Sequence, residues 1–265
     1  PGVPEGFKVS DKDGEKTVDD GLVVINTDDS SEFVWIPVPI AISPTEAEGN
    51  TNKAMAVKIG NNYRSLLYEF TETSSTVQEG CTTAQEKMPN FVSSDREPDT
   101  ISDYDNDMDY LKFINEKFGE TKFTNSTELK TYLQTEYDNM IESVNKYGGF
   151  YIGRYETSID GEGAKSVKGV YSVSAADSNG QAWFGLFGAQ HKYETNSVKG
   201  QMVTGSQWDA MLNWMQKGGQ INVAINGAPI EGATFNASFI TGSEEKDKLK
   251  NIYDILGCRM EFTTE

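Results

Sequence analysis

The sequence has few cysteines, a single histidine and a deficit of positive charge. Its 265 residues include two cysteines and one histidine, and 41 acidic residues outnumber 23 Lys plus Arg, for a formal net charge of -18. Two cysteines cannot make a disulfide scaffold. Phosphate backbones and anionic membrane surfaces repel such an acidic chain. Nucleic acid and electrostatic docking to lipid are therefore not expected as partners.

Long hydrophobic runs are missing as well. No stretch approaches the ~20 apolar residues that a helix needs to cross a bilayer, and the chain opens on Pro1-Gly2-Val3-Pro4 rather than on a signal peptide. We therefore expect no membrane insertion by this chain. The sequence has 12 Tyr and 25 Gly, and its many Asn, Ser and Thr residues are typical of surface proteins with long polar loops.

The two cysteines, Cys81 and Cys258, allow two interpretations. They could form one disulfide that closes a very long loop, or they could remain two buried thiols. Spacing alone does not decide between these states.

Strand-forming residues predict an antiparallel hairpin near the N-terminus. The runs 21–25 and 33–38 are rich in β-branched and aromatic residues, and the turn-forming cluster 26–31 separates them. Pro37 has no N–H to donate, so it ends the second strand or places it at a sheet edge. A short strand is also predicted at residues 7–9.

Two helices are predicted in the middle of the chain. Residues 108–118 carry apolar side chains three and four positions apart. The second helix starts at Asn125, where Glu128 three residues later makes a start that resembles a capping box. Its apolar residues form one continuous stripe from position 129 to position 144.

The strand after this helix has the composition of a buried element. Gly148 and Gly149 supply a left-handed stop for the helix. Residues 150–155 follow at once and are mostly aromatic or β-branched, as in strands buried on both faces. We therefore expect this strand to be central in its sheet.

Two further helices are predicted in the second half. Residues 181–193 form an apolar segment that we interpret as helical despite two glycines. Thr204 and Gln207 make a capping box, and apolar residues follow at helical spacing up to position 215. A short strand is predicted at 169–173.

Residues 46–125 are mostly polar, and we interpret them as an insertion that decorates the core, with short strands at 54–59 and 63–70. Within it, acidic residues alternate along 103–109. Counted from Asp105, the acids Asp105, Asp107, Asp109 and Glu116 occupy positions 1, 3, 5 and 12 of an EF-hand loop. Position 6 is Tyr110 instead of the glycine that the sharp turn needs. A calcium site at these four residues is one interpretation, and a solvated acidic loop is the one that we favour.

Other polar residues near aromatic ones receive structural interpretations. Glu156 and Glu261 are candidates for acid–base chemistry, yet no nucleophile or histidine is near them in sequence, and no catalytic residue is assigned. Strand alternation places Arg154 on the same face as Glu156, so we expect these two to pair. His191 is predicted to be an exposed helix residue, because metal sites and catalytic triads need partners that it lacks.

Tryptophans could form a platform for sugar stacking. Trp183, Trp208 and Trp214 are the candidates, but Trp208 belongs to an apolar helical stripe and is predicted to be core. Trp35 is predicted to be core as well.

Three segments, in this order, resemble the formylglycine-generating enzyme-like (sulfatase-modifying factor) branch of the C-type lectin fold. Residues 150–156 match the family's Phe-Tyr-Ile-x-x-Tyr-Glu strand. Residues 202–209 look like its Arg-Leu-Pro-Thr-Glu-Ala-Glu-Trp-Glu helix start. Residues 251–262 are similar to its Asn-x-Tyr-Asp-x-x-Gly-Asn-Val-Trp-Glu-Trp signature, and residues 33–38 resemble its opening strand.

The resemblance implies an α+β, C-type lectin-like domain of the formylglycine-generating enzyme type. Residues 1–45 would supply a lead-in and hairpin, residues 46–125 the long insertion, and residues 126–265 the core, which we expect to be incomplete at its C-terminus. The family's enzymes carry two cysteines near an Arg-Gly-Gly segment after the third block, and neither Cys81 nor Cys258 falls there. Its iron-dependent members use three histidines, and this chain has one.

The same scaffold resembles the variable proteins of diversity-generating retroelements and related surface proteins of gut bacteria and phages, which bind ligands without catalysis. We therefore predict a non-enzymatic, extracellular module on a bacterial surface appendage or phage tip. Its expected partner is a protein or glycan ligand on another surface, with calcium as the one candidate cofactor. Two alternatives stand: a formylglycine-generating or related metal-dependent oxidase whose catalytic residues lie outside this chain, and a structural pilus or virion subunit, which would form homo-oligomers.

Overall fold

The computed structural model describes residues 1–38, 56–59, 62–65, 120–159, 163–173, 182–195, 197–204, 239–245 and 248–255, with single residues within 111–118 and 207–215. Within these residues the strands are β1 (Phe7–Val9), β2 (Val23–Asn26), β3 (Glu32–Pro37), β4 (Ala56–Ile59), β5 (Asn62–Ser65), β6 (Gly149–Gly153), β7 (Ser158–Ile159) and β8 (Ala164–Lys165). The helices are α1 (Ser126–Tyr147) and α2 (Ala182–Ala189), and α2 continues into a 3-10 helix at Gln190–Tyr193.

The N-terminal hairpin and a later strand form one antiparallel sheet, in the order β1-β2-β3-β6. The predicted hairpin is confirmed as β2 and β3, and β1 confirms the short strand at residues 7–9. Asn26 organises the turn, because its side-chain oxygen accepts the backbone N–H groups of Asp28 and Asp29. β3 ends at Pro37, as the missing N–H of proline predicts.

Among the described strands, β3 has a partner on each side. It pairs with β2 on one side and with β6 on the other. Val34, Trp35 and Ile36 of β3 are buried, whereas most of β6 is half-buried. Composition shows that a strand is apolar without showing which neighbours cover it, so the central position expected for the strand after α1 stays a prediction.

Helix α1 begins and ends where its capping residues predict. Asn125 has an extended backbone, and its side chain accepts the N–H of Glu128 at 3.0 Å. The Glu128 carboxylate reaches back to the N–H of Thr124, one residue before the cap. Gly148 ends the helix with φ 82° and donates its N–H to the carbonyl of Val144.

The later helices are confirmed as far as they are described. Residues 182–193 are helical as expected. Thr204 and Gln207 form the predicted capping box, since the N–H of each donates to the side-chain oxygen of the other, at 3.0 and 3.1 Å. The strand expected at 169–173 is reduced to a single bridge between Tyr171 and Ile240.

Two apolar clusters hold these elements together. The first joins the sheet to the helical residues after Thr204 and contains Val23, Val34, Ile36, Met211, Trp214, Met215 and Ile252. The second joins α1 to α2 and contains Leu111, Ile114, Phe123, Leu129, Leu133, Phe187 and Met202. Trp214 is buried in the first cluster and Trp208 packs against it, so the core role predicted for Trp208 is confirmed.

The small strands form two further pairs. β4 pairs with β5 within the segment interpreted as an insertion, close to the strands predicted there, and β7 pairs with β8.

Candidate functional site

A cavity of about 1120 Å³ opens along one side of the described structure. The N-terminal segment 2–7, the last two turns of α1, strand β6 and the segment 197–203 all contribute residues to its wall. The volume slightly exceeds the about 300–1,000 Å³ of most small-ligand pockets. The cavity therefore has room for an extended ligand.

Aromatic side chains give this cavity an apolar wall. Trp35 and Tyr151 pack edge to face with 4.9 Å between their ring centroids, and both line the cavity. Phe150, the preceding residue of β6, also contributes to the lining but lies on the opposite face of the sheet, where it packs against the first apolar cluster. Tyr147, the last residue of α1, also lines the cavity and is 54% exposed, so its ring is accessible to a ligand.

Two tyrosines of the wall are held by hydrogen bonds. The Tyr151 hydroxyl donates to the carbonyl of Gly2 at 3.0 Å, and burial raises the pKa of Tyr151 to about 12. The Tyr193 hydroxyl lies 2.8 Å from Asp29 Oδ2 and 2.7 Å from Ser31 Oγ, and burial raises the pKa of Tyr193 as well. Both rings are therefore neutral and fixed in position at physiological pH.

Gln201 contributes to the cavity wall, but its amide nitrogen lies behind that wall and not on the cavity surface. Its Nε2 is buried and, among the described residues, has no hydrogen-bond partner. Leaving such a donor unpaired costs about 1–3 kcal/mol. Gln190, Asn139 and Ser143 add further polar groups to the wall. No sequence motif marks Gln201, because its unpaired donor exists only in the folded chain.

Arg154 forms a buried ionic network with the N-terminal region and not with Glu156. Its side chain is 3% exposed, and its terminal nitrogens lie 2.7 Å from Glu15 Oε1 and 2.6 Å from Glu32 Oε2. The predicted pairing with Glu156 is therefore wrong. Burial alone would raise the pKa of Glu15, but hydrogen bonds from Arg154 and Ser10 and the Arg154 charge outweigh it and lower that pKa.

The segment 251–254 also has a structural role. The side-chain amide of Asn251 donates from Nδ2 to the carbonyl oxygens of Gly14, Asp20 and Gly21, at 2.6, 3.0 and 2.8 Å. Tyr253 stacks on Tyr155 with 5.0 Å between centroids. Both carboxylate oxygens of Asp254 accept the N–H of Gly242, at 3.1 and 2.8 Å.

Glu136, His191 and Glu194 come together where α1 meets the 3-10 helix. Glu136 Oε1 is 2.6 Å from His191 Nε2, and one donor atom from each of the three residues lies within 4.8 Å of the others. The prediction that His191 is exposed is wrong, since its side chain is 6% exposed. An imidazole with two carboxylates is able to bind a metal ion.

The position of Glu136 on its helix could have revealed this cluster. It lies four residues after Tyr132 and four before Met140, so it falls within the apolar stripe of α1. A carboxylate in such a stripe is either buried with a partner or at a site.

Most residues of the calcium and disulfide predictions lie outside the residues that the structure describes. These are Asp105, Asp107, Asp109, Cys81 and Cys258, and Glu261 lies outside them too. Glu116 is described, is helical and is exposed. The calcium loop and the disulfide therefore stay predictions.

Across the described ranges, no helix combines the length and the apolar character that crossing a membrane requires. No protein-family model matches the chain, and neither the curated proteins nor the solved structures contain a significant match to it.

Proposed function

We propose that this chain is a non-enzymatic, extracellular binding module that holds an uncharged glycan in the cavity between α1, β6 and the segment 197–203. The observation that carries the proposal is the cavity itself. It combines a volume of about 1120 Å³, an aromatic wall and the amide side chains of Asn139 and Gln190.

The lining suits the chemistry of sugars. A pyranose ring presents weakly positive C–H groups on its faces and hydroxyl groups around its edge. Aromatic faces are negatively polarised and attract such C–H groups, and Tyr147 and Tyr151 offer rings in this wall. Amide side chains both donate to and accept from hydroxyls, which is the contribution we assign to Asn139 and Gln190.

Charge favours an uncharged ligand. The chain carries a formal net charge of -18, so anionic glycans approach against a repulsive potential. The buried charges near the cavity already have partners inside the protein: Arg154 pairs with Glu15 and Glu32, and Asp254 accepts a backbone N–H. Because their partners lie within the protein, Arg154 and Asp254 stabilise the fold. This structural role supports a binding function rather than a catalytic one.

The proposed setting is the surface of a bacterial appendage or a phage tip, with the C-type lectin-like scaffold that the three sequence blocks resemble. There the long polar loops, rich in Tyr, Asn and Ser, offer contact area and hydrogen bonding to a neighbouring surface.

The test is a screen of the full chain against an array of neutral plant, microbial and animal oligosaccharides, followed by calorimetry with the best-bound glycan. We expect Tyr147→Ala to weaken binding by about tenfold or more, equivalent to about 1.4 kcal/mol, because the ring is exposed at the cavity. Gln190→Met, which keeps the length of the side chain but removes the amide, should also weaken binding.

Tyr171→Ala is the matched control. Tyr171 is 72% exposed and does not line the cavity, so its loss should leave the affinity unchanged. The proposal fails if no neutral glycan binds, or if Tyr147→Ala and Tyr171→Ala have the same effect.

A further inference from the structure

The cluster of Glu136, His191 and Glu194 is separate from any role of the cavity. Glu136 belongs to α1 and His191 to the 3-10 helix. Glu194 is the residue that directly follows the 3-10 helix. Donor atoms of the three lie within 4.8 Å of one another, with 2.6 Å between Glu136 Oε1 and His191 Nε2. Folding thus brings together an imidazole and two carboxylates. Glu136 and His191, which are in direct contact, lie 55 positions apart in the sequence.

Two atoms of this cluster are buried with unused capacity. Glu136 Oε2 and His191 Nδ1 have no hydrogen-bond partner within the described part of the chain. Their side chains are 12% and 6% exposed, so water does not solvate them freely. A carboxylate pair with a buried imidazole is stabilised when a cation is bound among them.

The surroundings favour a cation. Ring centroids of Phe118, Phe187 and Tyr132 lie 4.5, 5.1 and 5.7 Å from that of His191, which gives the cluster an apolar shell. Burial and the charges of Glu136 and Glu194 raise the pKa of Tyr132.

We propose that Glu136, His191 and Glu194 form a binding site for a divalent transition-metal ion of the zinc class. Imidazole together with carboxylate is a donor set that suits zinc, whereas calcium and magnesium take oxygen ligands. Two ligand atoms that are each about 2.1 Å from one ion lie at most about 4.2 Å apart. The side chain of Glu194 is exposed, so it can move the few tenths of an ångström that bring its carboxylate within this limit. Its exposure also leaves one side of the ion open to solvent.

The single histidine makes the test specific. Zinc chloride is titrated into the chelator-treated full chain, and binding is followed by calorimetry and by long-range proton–nitrogen NMR of the imidazole. Because His191 is the only histidine, all imidazole signals come from this site. We expect saturable binding of zinc, a shift of the imidazole nitrogen resonances and a rise in Tm.

Variants separate this site from the acidic residues elsewhere. Glu136→Gln and His191→Gln should each weaken the site's zinc affinity by at least tenfold, and Glu194→Gln should weaken it less. Glu142→Gln is the control, since Glu142 is an exposed carboxylate on the same helix, and it should change nothing.

The outcomes against the proposal are equally direct. Zinc binding that survives both Glu136→Gln and His191→Gln would assign the metal to other acidic residues and overturn the proposal. If those variants fail to fold, the NMR measurement on the unaltered chain decides. Imidazole resonances that do not move at saturating zinc would overturn the proposal without any variant.

Discussion

At the scale of the residue, buried charge is where the folded chain differs most from expectation. Arg154 and Glu156 share a strand face by alternation, but the partners of Arg154 are Glu15 and Glu32, 139 and 122 positions away in sequence. Alternation tells which side of a strand a charge occupies. It does not tell which distant segment packs against that side, so the pairing could not be derived from the sequence.

This network gives stability a defined dependence on pH. The pKa of Glu15 is lowered in the folded state, so its contribution is fully present above the ordinary Glu pKa of about 4.3 and is lost as the pH falls through the lower folded value. We expect Glu15→Gln to reduce the free energy of unfolding most above about pH 5. The gap to the unaltered protein should shrink as the pH falls below 4.3, measured by urea unfolding across this range.

An exposed ion pair supplies the comparison. Asp13 lies 3.4 Å from Lys16, and the Asp13 carboxylate is exposed, so Asp13→Asn should change the free energy of unfolding by about 0.5 kcal/mol or less at every pH. A constant gap between Glu15→Gln and the unaltered protein from pH 7 to pH 3 would contradict the assignment.

At the scale of the element, local rules predicted the boundaries well. The Asn125 cap, the Gly148 stop, the box of Thr204 and Gln207 and the end of β3 at Pro37 were all found where the sequence indicated. Each of these boundaries depends on groups that lie within about four residues of one another, so a short stretch of sequence contains every group that takes part. The place of β6 in its sheet depends on neighbours from elsewhere in the chain, so local rules do not determine it.

Alanine substitutions at the two adjacent glycines at the end of α1 should lower the free energy of unfolding by different amounts. A Cβ at Gly148 would meet no heavy atom within 4 Å, so the cost is only that of its φ of 82°. A Cβ at Gly149 would lie 2.2 Å from the carbonyl oxygen of Ile36 and 2.6 Å from the Trp35 ring. We expect Gly148→Ala to cost about 1 kcal/mol and Gly149→Ala clearly more, because the backbone of β3 must move.

Urea unfolding of both variants measures this difference. Gly148→Asn serves as a control for conformation, because Asn tolerates a positive φ better than Ala, and it should recover part of the loss. Equal costs at the two positions would mean that β3 and β6 are not packed as closely as the structure indicates.

At the scale of the whole molecule, segments from both ends of the sequence build one structure. The cavity takes residues from 2–7, from the end of α1 and from 252–255. No window of sequence contains such a site, which is why the exposure of Tyr147 at the cavity and the meeting of Glu136 with His191 could not be derived from the sequence. The place of Glu136 in the apolar stripe of α1 marks it only as a carboxylate that folding buries. The blocks at 150–156 and 251–262 stand out in the sequence, and their described residues hold the scaffold together through Arg154 and Asn251.

Asn251 offers the sharpest test of this joining of the two ends. Its amide nitrogen serves three N-terminal carbonyl groups, and its φ of 66° suits Asn. Asn251→Asp keeps the shape and the backbone preference but replaces the donor with a negative oxygen that faces carbonyl oxygens. We expect a loss of about 3 kcal/mol or more in the free energy of unfolding, and faster amide hydrogen exchange in residues 14–24 than in α1.

Asn251→Gly separates the hydrogen bonds from the backbone conformation. Gly adopts a positive φ freely, so this variant loses the three hydrogen bonds without strain and without added charge, and it should cost less than Asn251→Asp. If Asn251→Asp unfolds within about 0.5 kcal/mol of the unaltered protein, the amide does not hold the N-terminal loop. In that case the packing of Ile252 in the first apolar cluster and the hydrogen bond from Lys250 Nζ to the carbonyl of Asp19, at 2.7 Å, must hold the two ends together instead.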